Sequence, residues 1–211
     1  MDSESVGGRI EAAIERLPPG GVTLAQLQEL IGKEGLMILA AFLTLVFLIP
    51  VSIPGVSTVF GAGILLIGIS RLFGRDLWLP ETIAKRAIST EKLRGAMTRG
   101  MIWFRKLEKV SRPNRMPWLT GAGLTGLMNN LALILGAVLL MMPFGPIPFS
   151  NTFPAVALLF LAIGLLQHDG VCILLGHLGN LASIAYFTVL IAGGGVAIQK
   201  VWQQLVGAMM L

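Results

Sequence analysis

Residues 50–60 read Pro50-Val51-Ser52-Ile53-Pro54-Gly55-Val56-Ser57-Thr58-Val59-Phe60. A related stretch stands later in the chain, Pro143-Phe144-Gly145-Pro146-Ile147-Pro148-Phe149-Ser150-Asn151-Thr152-Phe153-Pro154. Each follows a long apolar run and precedes another. Each holds Ile-Pro, with a threonine four residues after that proline (Thr58 and Thr152). Proline lacks an N–H and clashes with the carbonyl four residues back, so Pro50, Pro54, Pro146 and Pro148 interrupt any helix. In hydrocarbon, freed backbone groups must be buried in protein or face water. Two broken elements in corresponding places point to a binding site near the membrane midplane. Gly55, Ser57, Thr58, Ser150, Asn151 and Thr152 offer it a neutral polar lining. Taken singly, each break reads equally well as a turn between spans; the duplication favours a site.

Composition sets the same frame. The 211 residues are 55% hydrophobic and 13% charged, with a mean hydropathy of +0.79. A soluble domain carries about 25% charged residues, so the expectation is an all-helical integral membrane protein. Asp2, Glu4 and Glu11 near the start argue against a cleavable signal peptide. Cys172 is the only cysteine, which excludes an internal disulfide and the multi-cysteine zinc patterns. Twelve of the sixteen basic residues lie between Arg71 and Arg115, beside four acids. Short basic segments resist translocation, so this one is expected on the cytoplasmic face.

The chain divides into four expected parts. Residues 1–35 form a polar start and a short amphipathic helix, opened by the capping-box pattern Thr23-Leu24-Ala25-Gln26. Residues 36–79 form the first membrane half, with apolar runs at Leu36–Ile49 and Val56–Phe73. Residues 80–120 are a basic amphipathic interfacial segment, helical over Ile83–Val110 in one piece or two. Within it Arg99, Arg105 and Lys109, with Arg71 and Arg75 just before, are candidates for anionic lipid. Residues 121–211 form the second half: helix Leu124–Met142, the second break, the run Ala155–Leu166 and a polar turn at Gln167-His168-Asp169-Gly170. Val171–Ile198 comes after it as one tilted span or two short helices. The halves read as related repeats, parallel or inverted according to the number of crossings, with the broken helices either re-entrant or spanning.

Several pieces in this order resemble the ExoD family of bacterial membrane proteins, named for exopolysaccharide synthesis. They are Thr23-Leu24 to Leu30-Ile31-Gly32, Pro50 with Ile53-Pro54-Gly55-Val56-Ser57-Thr58, and Gly74-Arg75 with Trp78-Leu79-Pro80. Arg112-Pro113 with Pro117-Trp118-Leu119-Thr120, and Pro146-Ile147-Pro148-Phe149-Ser150-Asn151 with Pro154, complete the set. The resemblance implies a multi-pass inner-membrane protein connected with exopolysaccharide production. It supplies no catalytic signature. Asp76 departs from it, standing where a more basic run is expected.

Asp169 is the only acid after Glu108. A carboxylate at membrane depth is costly and a functional candidate by default; with His168 it can handle protons. The competing reading is a wetted turn at the surface, which Gly170 favours. His168, Asp169, Cys172 and His177 spell a metal set on paper, but Gly170 interrupts the helix, and no metal or other cofactor is expected. Asn129 and Asn130 read as helix–helix contacts. No paired carboxylates, phosphate loop or convincing Ser/His/Asp set points to an enzyme. The leading expectation is therefore a small ion- or proton-coupled transporter, and the alternative a scaffold for exopolysaccharide synthesis. Expected partners are membrane lipid, a second copy of the chain and exopolysaccharide synthesis proteins, with no nucleic acid.

Overall fold

The computed structural model describes residues 20–48, 55–74, 87–91, 111–144 and 147–209, with positions 15, 18, 94, 95 and 98. The described residues hold five α-helices: α1 Leu24–Leu45, α2 Val56–Leu72, α3 Leu124–Leu140, α4 Thr152–Gln167 and α5 Gly170–Met209. Two residues on each side form a small antiparallel pair, β1 Val22–Thr23 and β2 Ala87–Ile88, in the register Val22↔Ile88 and Thr23↔Ala87.

The capping box forms as its spacing requires. Thr23 Oγ1 accepts from the Gln26 N–H at 3.2 Å, and Gln26 Oε1 accepts from the Thr23 N–H at 3.0 Å. Beyond this cap the structure corrects the expected boundaries. The amphipathic stretch and the first apolar run are one 22-residue helix, ending in a 3-10 turn at Val46–Leu48. Neither Gly32 nor Gly35 stops it, because a lone interior glycine lowers helix stability by only about 1 kcal/mol. A second correction concerns the helix expected over Ile83–Val110: Ala87 and Ile88 are in β2, paired with the residues just before α1. Pairing with a distant segment overrides local pattern there.

α4 is the central helix. Ten of its sixteen residues are buried, around its whole circumference, as expected of a helix surrounded by others. It packs on α1, α3 and α5, while α2 packs on α3. One cluster joins Met37 of α1, Ile64 and Ile67 of α2, Leu133 and Leu140 of α3, Leu158 and Leu161 of α4, and Ile173 of α5. Small residues set the closest approach: a Cβ on Gly179 of α5 would lie 2.8 Å from Ala157 Cβ of α4. Close backbone approach through small residues is how helices associate where water supplies no driving force.

α5 runs unbroken for 40 residues, so the two-helix alternative for this region falls away. Its stretch Gly170–Gly194 is long and apolar enough to cross a membrane, and only 28% of the most apolar window is buried. It is not a covered core helix. Leu174, Leu175, Leu178, Leu181 and Ile184 stand exposed on it, as do Leu127, Leu131 and Leu135 on α3. An apolar surface of this extent fits lipid rather than water. The other apolar helical stretches, Gly35–Leu48 and helices α2, α3 and α4, are shorter than a usual span.

Candidate functional site

The first break opens α2 at Gly55, whose φ of 81° lies in the left-handed region that glycine adopts without penalty. Ser57 is buried and Thr58 exposed. Phe47 and Phe60 meet edge to face at 5.8 Å across the break. In the second break, buried Ser150 points its hydroxyl at two carbonyls, Phe144 O and Ile147 O, each at 2.8 Å. The Tyr186 hydroxyl donates to Pro148 O from α5. Asn151 is buried, Pro148 exposed, and Thr152 begins α4 half-buried. The breaks lie at one end of the bundle: a Cβ on Gly61, near the start of α2, would stand 2.5 Å from Met141 Cγ, just past the end of α3. Pro50, Pro54, Pro146, Arg75, Arg99, Arg105 and Lys109 fall outside the described residues.

The opposite end is held by Asp169. Its side chain is fully buried, so the wetted-turn reading is corrected. Oδ2 accepts from Ser111 Oγ at 3.0 Å, from the Arg112 N–H at 2.9 Å and from Cys172 Sγ at 3.4 Å. Oδ1 accepts from the Val171 N–H at 3.0 Å, which caps α5, and from Arg115 Nε at 3.2 Å. Arg115 Nη2 pairs with Oδ2 as well. The backbone adds Gly170 N–H to Arg115 O at 2.7 Å and Asn114 N–H to His168 O at 3.3 Å. Burial alone would raise the Asp169 pKa. The Arg115 guanidinium, the Arg112 amide and the Cys172 and Ser111 donors outweigh it and hold the carboxyl well below the usual carboxylate range. The same pairing raises the Arg115 pKa. Asp169 is thus a clasp joining residues 111–116 to the α4–α5 turn. His168, its neighbour, is exposed and left-handed (φ 54°), closing α4.

Between these ends runs a buried polar seam. α3 and α5 lie side by side in one register, Asn129 facing His177 and Ala132 facing Asn180. Asn129 Nδ2 donates to Leu119 O at 2.7 Å, and Asn129 Oδ1 lies 2.9 Å from His177 Nε2. Asn180 Nδ2 donates to Ala132 O at 2.8 Å. Ser183, one turn on, is fully buried and donates to Gly179 O at 2.8 Å. Asn130 accepts from Arg71 Nε of α2 at 3.2 Å, so this arginine, expected at the lipid face, turns half-buried toward α3. Both asparagines thus join helices. His177, Asn180 and Ser183 share one face by their spacing of three, a signal present in the sequence but hidden in a long apolar run. Ser111 and Arg115 could not be matched to Asp169 by any local pattern.

A family model described as exopolysaccharide synthesis, ExoD, matches residues 8–189. Protein ExoD of Rhizobium meliloti is 43% identical over 186 residues, covering 88% of this chain and 77% of that protein. An uncharacterized protein of Synechocystis is 32% identical over 150 residues, 71% of this chain and 69% of the relative. No solved structure matches the chain.

Proposed function

The chain belongs to the ExoD family of exopolysaccharide synthesis proteins, and from that premise we propose that it is a multi-pass protein of the bacterial inner membrane, not an enzyme, that moves protons or small cations. The observation that supports this reading is that the start of α2 and the end of α3, which flank the two breaks, stand together, with Met141 against Gly61. The packing scheme supports a relation between the halves: α1 lies on α4 as α3 lies on α2, and each half packs internally, α1 with α2 and α3 with α4. Exchanging the halves leaves that scheme unchanged. Ser57, Thr58, Asn151 and Thr152 supply oxygens near the junction, while Ser150 holds its loop in shape. Asp169 belongs to the framework of the path, since a carboxyl kept ionised by Arg115 is poorly suited to take up protons at neutral pH.

The test is flux in proteoliposomes. A proton gradient is imposed, Na⁺ or K⁺ is added, and a pH dye is read. Collapse of the gradient on adding one cation is the expected result. No collapse with either would overturn cation–proton exchange and favour the scaffold reading, for which the clasp is the supporting observation. It fixes the end of the basic segment to the membrane helices, where that segment can hold anionic lipid or a synthesis protein.

A further inference from the structure

The seam between α3 and α5 holds several buried acceptors, one of them without a donor. Asn129 Nδ2 is committed to Leu119 O, so its Oδ1 faces His177 Nε2. An amide oxygen cannot donate; Nε2 therefore carries the proton, and the neutral ring keeps its lone pair on Nδ1. One turn along, Asn180 spends one N–H on Ala132 O. Its Oδ1 has no hydrogen-bond partner, although the residue is only 3% exposed. A further turn along, Ser183 has given its single proton to Gly179 O, leaving only lone pairs. Gly136 stands opposite with Leu158 beside it: a Cβ there would come 2.8 Å from Leu158 Cδ2 and 3.0 Å from Asn180 Oδ1, so only a small species fits against this oxygen. A buried carbonyl oxygen without a donor is unfavourable, and residues three apart on a helix are neighbours on one face, about 5–6 Å between Cβ atoms, within reach of one bridging water.

We propose that this seam binds water, with Asn180 Oδ1 as its central acceptor and the lone pairs of His177 Nδ1 and Ser183 Oγ on either side. The chemistry favours a small species that can donate to these oxygens and to the imidazole nitrogen, water or a hydrated proton. At one end Asn129 holds Leu119 O, and three residues beyond Ser183 the Tyr186 hydroxyl holds Pro148 O of the second break. The proposed water line points from the Asp169 end of the bundle toward the end that holds the breaks. The inference deepens the transport reading and rests on it for the purpose of the water, not for its presence.

The experiment has two arms, both on the full chain in proteoliposomes. The first uses silver ion, narrow enough to follow a file of water, on Ser183→Cys in a Cys172→Ser background. Thiols remaining are counted with maleimide after denaturation. The Ser183→Cys thiol is expected to react about tenfold faster than a Leu181→Cys thiol on the exposed apolar face, because thiolate forms only where water reaches. Equal or slower reaction in a folded chain means a dry seam and overturns the proposal. The second arm reads proton flux: Asn180→Leu should slow it at least tenfold with an unlowered thermal midpoint. Flux untouched by Asn180→Leu overturns the path. Silver reactivity without any wild-type flux would leave the water site standing and remove the transport reading. Flux without silver reactivity would do the reverse.

Discussion

At the scale of single residues, Asp169 concentrates the most interaction. Asp169 is fully buried, whereas Arg115 is more than a third exposed, so the pair is partly screened by solvent. Asp169→Asn, which also weakens the buried hydrogen bonds the carboxylate accepts, is expected to destabilise by about 1–3 kcal/mol, read as the thermal or denaturant midpoint in detergent. Its pH dependence has a definite sign. A carboxyl whose folded pKa is depressed contributes stability that is present above the ordinary carboxylate range and is lost as pH falls toward the folded value. The wild-type midpoint should stay level from neutrality to about pH 5 and decline below about pH 4, while Asp169→Asn starts lower and declines less on the acid side. His168 makes the opposite forecast. Its left-handed conformation costs a residue with a Cβ roughly 1 kcal/mol. His168→Gly should therefore keep or raise the midpoint, and equal proton flux in that variant would assign the side chain to closing α4 alone.

At the scale of elements, the helices were legible wherever an apolar run met proline, glycine or a capping pair. Thr23 and Gln26 placed the start of α1, and the prolines placed both breaks. Two things were not legible. The division expected between residues 35 and 36 falls inside α1, where a change from amphipathic to apolar pattern does not end a helix. The β1–β2 pair depends on Val22 meeting Ile88, and no local pattern encodes a partner sixty-odd residues away. The same applies to Asp169 and Arg115: the sequence marks the carboxylate as costly but not what offsets its burial. The α4–α5 contact gives its own prediction. Gly176 sits where a Cβ would lie 2.5 Å from Leu161 Cγ. Overfilling such a contact costs about 1–3 kcal/mol, so Gly176→Val should lower the midpoint, whereas Gly193→Val, with nothing within 4 Å, should not do so through packing.

At the scale of the whole molecule, two closures stand out. The β pair brings the start of α1 beside residues that come after α2. The Asp169 clasp brings the segment before α3 beside the residues that come after α4. Each helix pair therefore sets out and comes back at one place, and both places flank the basic stretch. On the proposed reading, with the basic stretch at the cytoplasmic face, this gives a sidedness. Both hairpins then return to that face, and neither changes the side on which the chain continues. Only α5 is left to carry the polypeptide across, and the residues at its far end are expected outside the cytoplasm. Alkaline phosphatase joined after Leu211 should be active and a fluorescent protein there dark. The same reporters inserted after Gly121, between the basic stretch and α3, should give the reverse pattern.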